Sequence, residues 1–185
     1  MKFNMGCGFN KLDGYVNVDK HPECLPDMQV NLETLPWPIA SDQATEILFN
    51  HSLEHMGQNS EVFLGIIKEI YRIAKAGAAI RINVPHPRHD LFLGDPTHVR
   101  VITPITLSLF SKENNRLWKT RGESYSPLAI YLDVDFEIES TLSILEQEYF
   151  KKMQDGELSE EEVLKIASER NNVVSEYQFL LRVIK

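Results

Sequence analysis

Cysteine is scarce: Cys7 and Cys24 are the two in 185 residues, too few for a disulfide framework and suited to a reducing compartment. Long apolar runs are missing as well. No stretch of about 18 apolar residues occurs, so no membrane span is expected. The opening residues Met1-Lys2-Phe3-Asn4-Met5-Gly6 lack an apolar segment of signal-peptide length. Positive charge is in deficit, 19 Lys and Arg against 27 Asp and Glu, for a net −8. That balance argues against broad, sequence-independent nucleic-acid binding. Internal repeats and low-complexity tracts are absent too. These absences lead to the expectation of a soluble, cytoplasmic protein with no membrane partner. What is present, 43% apolar and 25% charged residues, is ordinary for a globular chain, and the length suits one domain over residues 1–185.

Apolar spacing predicts strands and helices in alternation. Lys2 to Met5 reads as a strand stopped by Gly6-Cys7-Gly8. Tyr15 to Asp19 is β-branched and ends on an acid, Met28 to Leu32 is a brief third strand, and Ala44 to Asn50 is a buried fourth. Two prolines in Leu35-Pro36-Trp37-Pro38 exclude regular helix or central strand there. Val62, Phe63, Ile66, Ile67, Ile70 and Ile73 recur at helical spacing, predicting a helix from about Ser60 to Lys75 with Gly77 as its stop. Ala78 to Val84 is a further strand. Thr103-Pro104 opens a short helix, and Tyr131 to Leu142 alternates as a strand. Ser159 and Glu162 form a capping box, its acidic first turn matched to the helix dipole, and Val173 to Ile184 closes the chain as a strand. Such alternation defines an α/β fold with a mainly parallel sheet. Ligands in these sheets bind at the carboxyl ends of the strands, near Gly6 to Phe9, Asp19, and the residues after Asn50 and Val84.

Glycines after a strand permit a tight turn and a close backbone approach to a ligand. Asp19 adds an acceptor-only carboxylate able to take both hydroxyl hydrogens of a ribose. Ten residues separate Gly8 from Asp19, where a dinucleotide fingerprint places its acid about 20 residues on. A whole helix cannot fit in that interval, so the first helix is truncated to a loop. This counts against NAD, whose pyrophosphate needs a helix N-terminus; a sulfonium nucleoside without phosphate has no such need.

Four ordered blocks carry a resemblance: Asn4-Met5-Gly6-Cys7-Gly8, Gly14-Tyr15-Val16-Asn17-Val18-Asp19, Asn31-Leu32-Glu33-Thr34-Leu35-Pro36-Trp37-Pro38, and His51-Ser52-Leu53-Glu54-His55. Together they resemble the short class I S-adenosylmethionine-dependent methyltransferases of the type 11 group. The resemblance implies a Rossmann-like, seven-stranded sheet in the order 3-2-1-4-5-7-6 with its last strand antiparallel. It implies S-adenosylmethionine as cofactor, with Asn4, Gly6, Cys7 and Gly8 around the methionine part and Asp19 on the ribose. Asn31 and Leu32 would lie beside the adenine, and Asn50 and His51 beneath the methyl. Asn4, Asn10 and Asn31 depart from the broader class, standing where an acid, a glycine and an Asp are frequent. An amide oxygen at Asn31 can still accept from the adenine amine.

Three histidines fall within 13 residues, in His86-Pro87-Arg88-His89-Asp90 through Asp95-Pro96-Thr97-His98-Val99-Arg100. The favoured reading is acceptor contact, with Asp95 and His98 orienting or deprotonating the nucleophile and His51 completing the candidate catalytic set. A metal site from His86, His89, Asp95 and His98 is a second reading, and a polar loop held by Asx turns and proline corners a third. His51-Ser52-Leu53-Glu54-His55 also fits the literal H-x-x-E-H of a metallopeptidase group, but it directly follows a buried strand; no metal is expected there. Arg116, Trp118, Lys119 and Arg121 form a short basic stretch that could receive an anionic or ring-bearing substrate but more often marks a solvated face. The chain starts at its first strand, so cover for the crevice is expected from an insertion at about 86–127, from a helical insertion at about 145–172, or from a second copy in a homodimer. The rival readings are a S-adenosylmethionine-binding module without catalysis and a zinc metallohydrolase. The acceptor, small molecule or macromolecule, is not specified by these residues.

Overall fold

Period-two burial organises the sheet. In the computed structural model, which describes residues 1–185, seven strands lie in the order β3-β2-β1-β4-β5-β7-β6. They are β1 (Lys2–Met5), β2 (Val16–Asp19), β3 (Met28–Gln29), β4 (Ala44–Asn50), β5 (Ala74–Pro85), β6 (Phe136–Leu145) and β7 (Val174–Val183). Strands β1 to β5 pair in parallel, while β7 runs antiparallel to both β5 and β6. The architecture is the α/β, Rossmann-like sheet that the resemblance implies.

Register turns that alternation into a core. Phe3, Ile47, Ile80 and Leu181 are successive partners across four strands, and so are Met5, Phe49, Ile82 and Phe179. All eight are buried, and full burial of each such side chain contributes roughly 1.5–3 kcal/mol. Helix α1 (Ser60–Ile73) buries Phe63, Ile66, Ile67, Ile70 and Ile73, the stripe predicted from its spacing. Asn59 caps it by accepting from Glu61 N–H. The opposite face of β1 and β4 is polar: Glu46 pairs with Lys2 at 3.0 Å and Arg81 at 3.1 Å and accepts from the Tyr15 hydroxyl at 2.7 Å. No helix intervenes between β1 and β2.

Three boundaries differ from expectation. Helix α1 ends at Ile73 because Ala74 turns extended and pairs with Ala44; Gly77 (φ +73°) serves a bulge in β5, not a helix stop. Strand β3 stops at Gln29, short of Leu32. The expected strand Tyr131–Leu142 divides, because Asp133 adopts a left-handed cap (φ 53°) that closes the short helix α5 (Leu128–Leu132) before β6 begins. The short helices α2 (Asp90–Leu93) and α3 (Pro104–Ser108) and helix α4 (Lys112–Arg121) fill residues 90–121. Helices α6 (Gln147–Gln154) and α7 (Glu160–Glu169) occupy the predicted helical segment. Thr103 and Ser159 cap α3 and α7, Ser159 with the full capping box. Arg88 reaches the last carbonyls of α7, donating to Ala167 O and Ser168 O, which braces the loop after β5.

Candidate functional site

At the carboxyl ends of β1, β2 and β4 lies a cavity of about 340 Å³. Its lining includes Gly6, Gly8, Asp19, Asn31, Leu32 and His51 from the candidate set, joined by Lys20, His21, Glu33, Ser52, His55, Met56 and Thr97. The volume falls within the range of about 300–1,000 Å³ usual for small-molecule sites.

The glycine turn is tied to the next strand: Gly6 N–H and Cys7 N–H both donate to Val18 O. At Gly6 (φ +68°) a Cβ would stand 2.7 Å from Ser52 Cβ, so only glycine lets the turn pass this close to the Ser52 loop. At Gly8 (φ +50°), which also lines the cavity, a Cβ would meet nothing within 4 Å, so the turn is open there. Asp19 is pinned by two backbone donors, Gly8 N–H to Oδ2 at 2.8 Å and His21 N–H to Oδ1 at 2.9 Å. A carboxylate offers about four lone-pair positions, so two stay free for a pair of vicinal hydroxyls. Asn31 spends one lone pair of its amide oxygen on Glu33 N–H in an Asx turn.

Three candidate cofactor residues, Asn4, Cys7 and Asn50, lie outside this lining. Asn4 is buried, its amide donating to Asn10 O and Asn17 Oδ1, so it fixes the turn from behind. Cys7 is buried with its thiol donating to Gly8 O at 3.4 Å, and burial raises its pKa. Asn50 faces sideways, accepting from Asn83 Nδ2 at 2.9 Å.

His51 adopts a left-handed backbone (φ 50°), rare for a residue with a side chain and an energetic cost the surrounding structure must hold in place. Its Nε2 lies 2.5 Å from Glu176 Oε2, and its Nδ1 lies 3.7 Å from Glu54 Oε1. Glu54 is wholly buried, and neither of its carboxylate oxygens has a hydrogen-bond partner. Burial pushes its pKa up to about 7, with Glu176 and Asp95 adding to the rise. Its backbone carbonyl accepts from both Val99 N–H and Arg100 N–H, which draws the 95–100 loop over it. Burial, reinforced by His98, lowers the pKa of His55.

The loop histidines separate. His86 meets the Tyr177 hydroxyl at 3.1 Å, and His89 pairs with Glu146 at 2.9 Å, so the proposed grouping of His86, His89, Asp95 and His98 does not assemble. His98 is tucked behind the wall, its Nδ1 2.9 Å from Phe92 O and its Nε2 3.9 Å from Glu54 Oε1. Asp95 accepts from Thr97 N–H and from the Thr97 hydroxyl, bonds that lower its pKa. The H-x-x-E-H pattern does not form the metallopeptidase arrangement: Leu53–His55 is a single 3-10 turn, and His51 points to Glu176. The side chains that do converge are Glu54, His55 and His98, whose ligating atoms lie within 4.8 Å of one another. Glu54 escaped the sequence reading as a site residue because its letters fit a pattern that failed, while its burial comes from distant loops. The basic stretch on α4 stays at the surface, with the Trp118 and Tyr125 rings tilted against each other at 4.6 Å between centroids.

No helix is long and apolar enough to cross a membrane. No protein-family model and no curated protein matches the sequence. Among solved structures, the chain is similar to a SAM-dependent methyltransferase from Archaeoglobus fulgidus: TM-score 0.61, 19% identity, covering 98% of this chain and 85% of that one. One from Methanosarcina mazei gives TM-score 0.53 at 14% identity over 99% of this chain and 92% of that one. The cyclase SpnF gives TM-score 0.55 at 14% identity, covering 99% of this chain and 75% of that one. The fold is therefore that of class I SAM-dependent methyltransferases. Because a cyclase shares it, the activity has to be argued from the site.

Proposed function

We propose that the chain is a methyltransferase that binds S-adenosylmethionine in the Gly6–Asp19–His51 cavity and methylates an oxygen or nitrogen nucleophile. The observation that carries this reading is Asp19. Its carboxylate is held rigid by Gly8 and His21, keeps two free lone pairs, and lines the cavity beside the open glycine turn. No helix N-terminus follows β1, so the turn has no built-in pyrophosphate site and suits a nucleoside without phosphates. The residues present fit the cofactor: Asp19 for the ribose, Asn31 and Leu32 for the adenine, Gly6 and Gly8 for the amino-acid part. The bound cofactor supplies an electrophilic methyl on a sulfonium centre.

The chain's own residues do the rest. Fixing nucleophile and methyl in line is worth on the order of 7–11 kcal/mol of the barrier. Glu176 accepts from Nε2–H of His51, which leaves the lone pair on Nδ1. His51 is thus the base in this reading, worth about 10²–10⁴-fold where the acceptor carries a proton. Asp95 and His98, the other candidates for that role, act on the wall: Asp95 holds Thr97, which lines the cavity, and His98 is packed behind His55. Within the single domain, the segment at about 86–127 supplies Thr97 to the acceptor side. The helical segment at about 145–172 supports the loop that precedes it through Arg88.

The test is calorimetric titration with S-adenosylhomocysteine and with NAD, followed by incubation with methyl-labelled S-adenosylmethionine and panels of hydroxyl and amine acceptors. Binding of the first ligand alone, with label transferred to an acceptor and transfer falling about 10²–10⁴-fold in His51→Gln, is the expected result. Failure to bind S-adenosylhomocysteine would overturn the reading. Tight binding without transfer to any panel member would leave a binding module in place of an enzyme.

A further inference from the structure

The methyl-transfer reading makes no use of Glu54, yet a carboxylate with no exposed surface and no hydrogen-bond partner is a costly thing to keep. No lysine or arginine lies within ion-pair distance of it; the side chains that approach its carboxylate are those of His51 at 3.7 Å and His98 at 3.9 Å. We propose that Glu54, His55 and His98 form a binding site for a divalent transition-metal cation, open toward the cavity, where it holds a hydroxyl-bearing methyl acceptor. The inference rests on the reading of the cavity given above and extends it to the acceptor's chemistry.

Hydrogen bonding has prepared both imidazoles as ligands. Phe92 O can only accept, so Nδ1 of His98 is the donor there and the lone pair of the neutral ring falls on Nε2. The Thr97 hydroxyl spends its single hydrogen on Asp95 Oδ1 at 2.6 Å, so toward Nδ1 of His55, at 2.8 Å, it can only accept. Nε2 of His55 is bare for the same reason. A histidine that gives its second N–H to a backbone carbonyl, or to a chain ending on a carboxylate, is the usual setting of a metal-ligating imidazole. The three ligating atoms lie within 4.8 Å of one another. Bonds of roughly 2.0–2.2 Å at a tetrahedral angle set two ligands about 3.3–3.6 Å apart, so a pair near the upper limit closes by about 1.2–1.5 Å when the ion enters. Two imidazoles and a carboxylate suit zinc or manganese, and Asp95 and Glu176 add negative charge nearby.

Three protein ligands leave coordination positions open. Glu54 and His98 block the interior side, whereas His55 and Thr97 line the cavity, so the open positions face the ligand space. An acceptor oxygen bound there would sit beside His51 and Ser52, and oxygen donors complete such ions more readily than a protonated amine, which has no lone pair to offer.

The experiment strips the full chain with a chelator and titrates it with Zn²⁺ and, separately, Mn²⁺, following bound metal after gel filtration and the Mn²⁺ electron paramagnetic resonance signal. About one ion per chain is expected, with a rise in Tm. Glu54→Gln should abolish stoichiometric binding, and Thr97→Val, a milder change at an exposed position, should weaken it about 10–100-fold. His86→Gln should leave it unchanged. Absence of binding by either ion, or equal binding by Glu54→Gln and the parent, would overturn the site. Bound Mn²⁺ should enhance water-proton relaxation; an ion with no exchangeable water would overturn the acceptor role. S-adenosylhomocysteine titration of Glu54→Gln separates the two ideas. Ligand binding with no metal anywhere sinks this inference alone, whereas metal binding with no nucleoside binding keeps the cation and sinks the methyltransferase.

Discussion

Replacing Asp19 by Asn preserves volume and exchanges one acceptor oxygen for an NH2 group. In the structure that carboxylate accepts Gly8 N–H and His21 N–H at 2.8 and 2.9 Å, so the amide must turn a donor toward one of them. Hydrogen bonds to a charged group contribute about 1.5–3 kcal/mol each, and the free protein should lose stability of that order. The same substitution removes one acceptor from the ribose, and a loss of about 1.5–3 kcal/mol weakens S-adenosylhomocysteine roughly 10- to 150-fold. Thermal unfolding with and without ligand isolates the second effect from the first. At 100 times its dissociation constant the ligand stabilises the parent by about 2.7 kcal/mol, or roughly 5–10 °C for a chain of this size. At the same concentration a 100-fold weaker variant gains about 0.4 kcal/mol, or roughly 1–2 °C. Asp27→Asn is the matched control. Asp27 also accepts a backbone N–H, that of Asn17 at 2.8 Å, but lies outside the cavity, so its ligand increment should equal the parent's. An Asp19→Asn protein that gains as many degrees as the parent would refute the ribose assignment and the reasoning behind it.

The two turn glycines should part company. Gly6→Ala meets Ser52 at 2.7 Å in a left-handed conformation and should destabilise by about 2–4 kcal/mol in urea unfolding, whereas Gly8→Val should cost less stability and abolish the ligand increment. Glu69 accepts Trp37 N–H at 2.6 Å and a two-pronged contact from Arg72, so Glu69→Ala should cost about 3–5 kcal/mol in the same assay while sparing ligand affinity. Hydrogen bonds from Asn17 and Lys11 hold the Asp27 carboxyl down to about 2. A depressed acid lends stability above its unfolded value near 4 and loses it as pH falls toward 2, so Asp27→Asn should flatten the acid limb of Tm against pH over that window. Parallel limbs would contradict the assignment.

Strand alternation and the α1 stripe were legible because burial on one face imposes a period that any window of sequence displays, and the caps at Thr103 and Ser159 because their donors lie three residues away. The ten-residue interval between Gly8 and Asp19 is likewise too short for a helix with its two connections, and none forms there. Tertiary structure decided what depends on distant partners. Asn4 and Asn50 share the turn and strand end with true lining residues, but the direction of each side chain is set by Asn17 and by Asn83. Glu54 and His98 are 44 positions apart in the chain, and only the 95–100 loop, hydrogen-bonded to the Glu54 carbonyl, brings the two together beside His55. A residue's letter carries its acidity and its reach. Whether water or protein surrounds it is a property of the folded neighbourhood, and for Glu54 that neighbourhood turned a surface-seeking acid into a buried, unpartnered group behind the cavity wall.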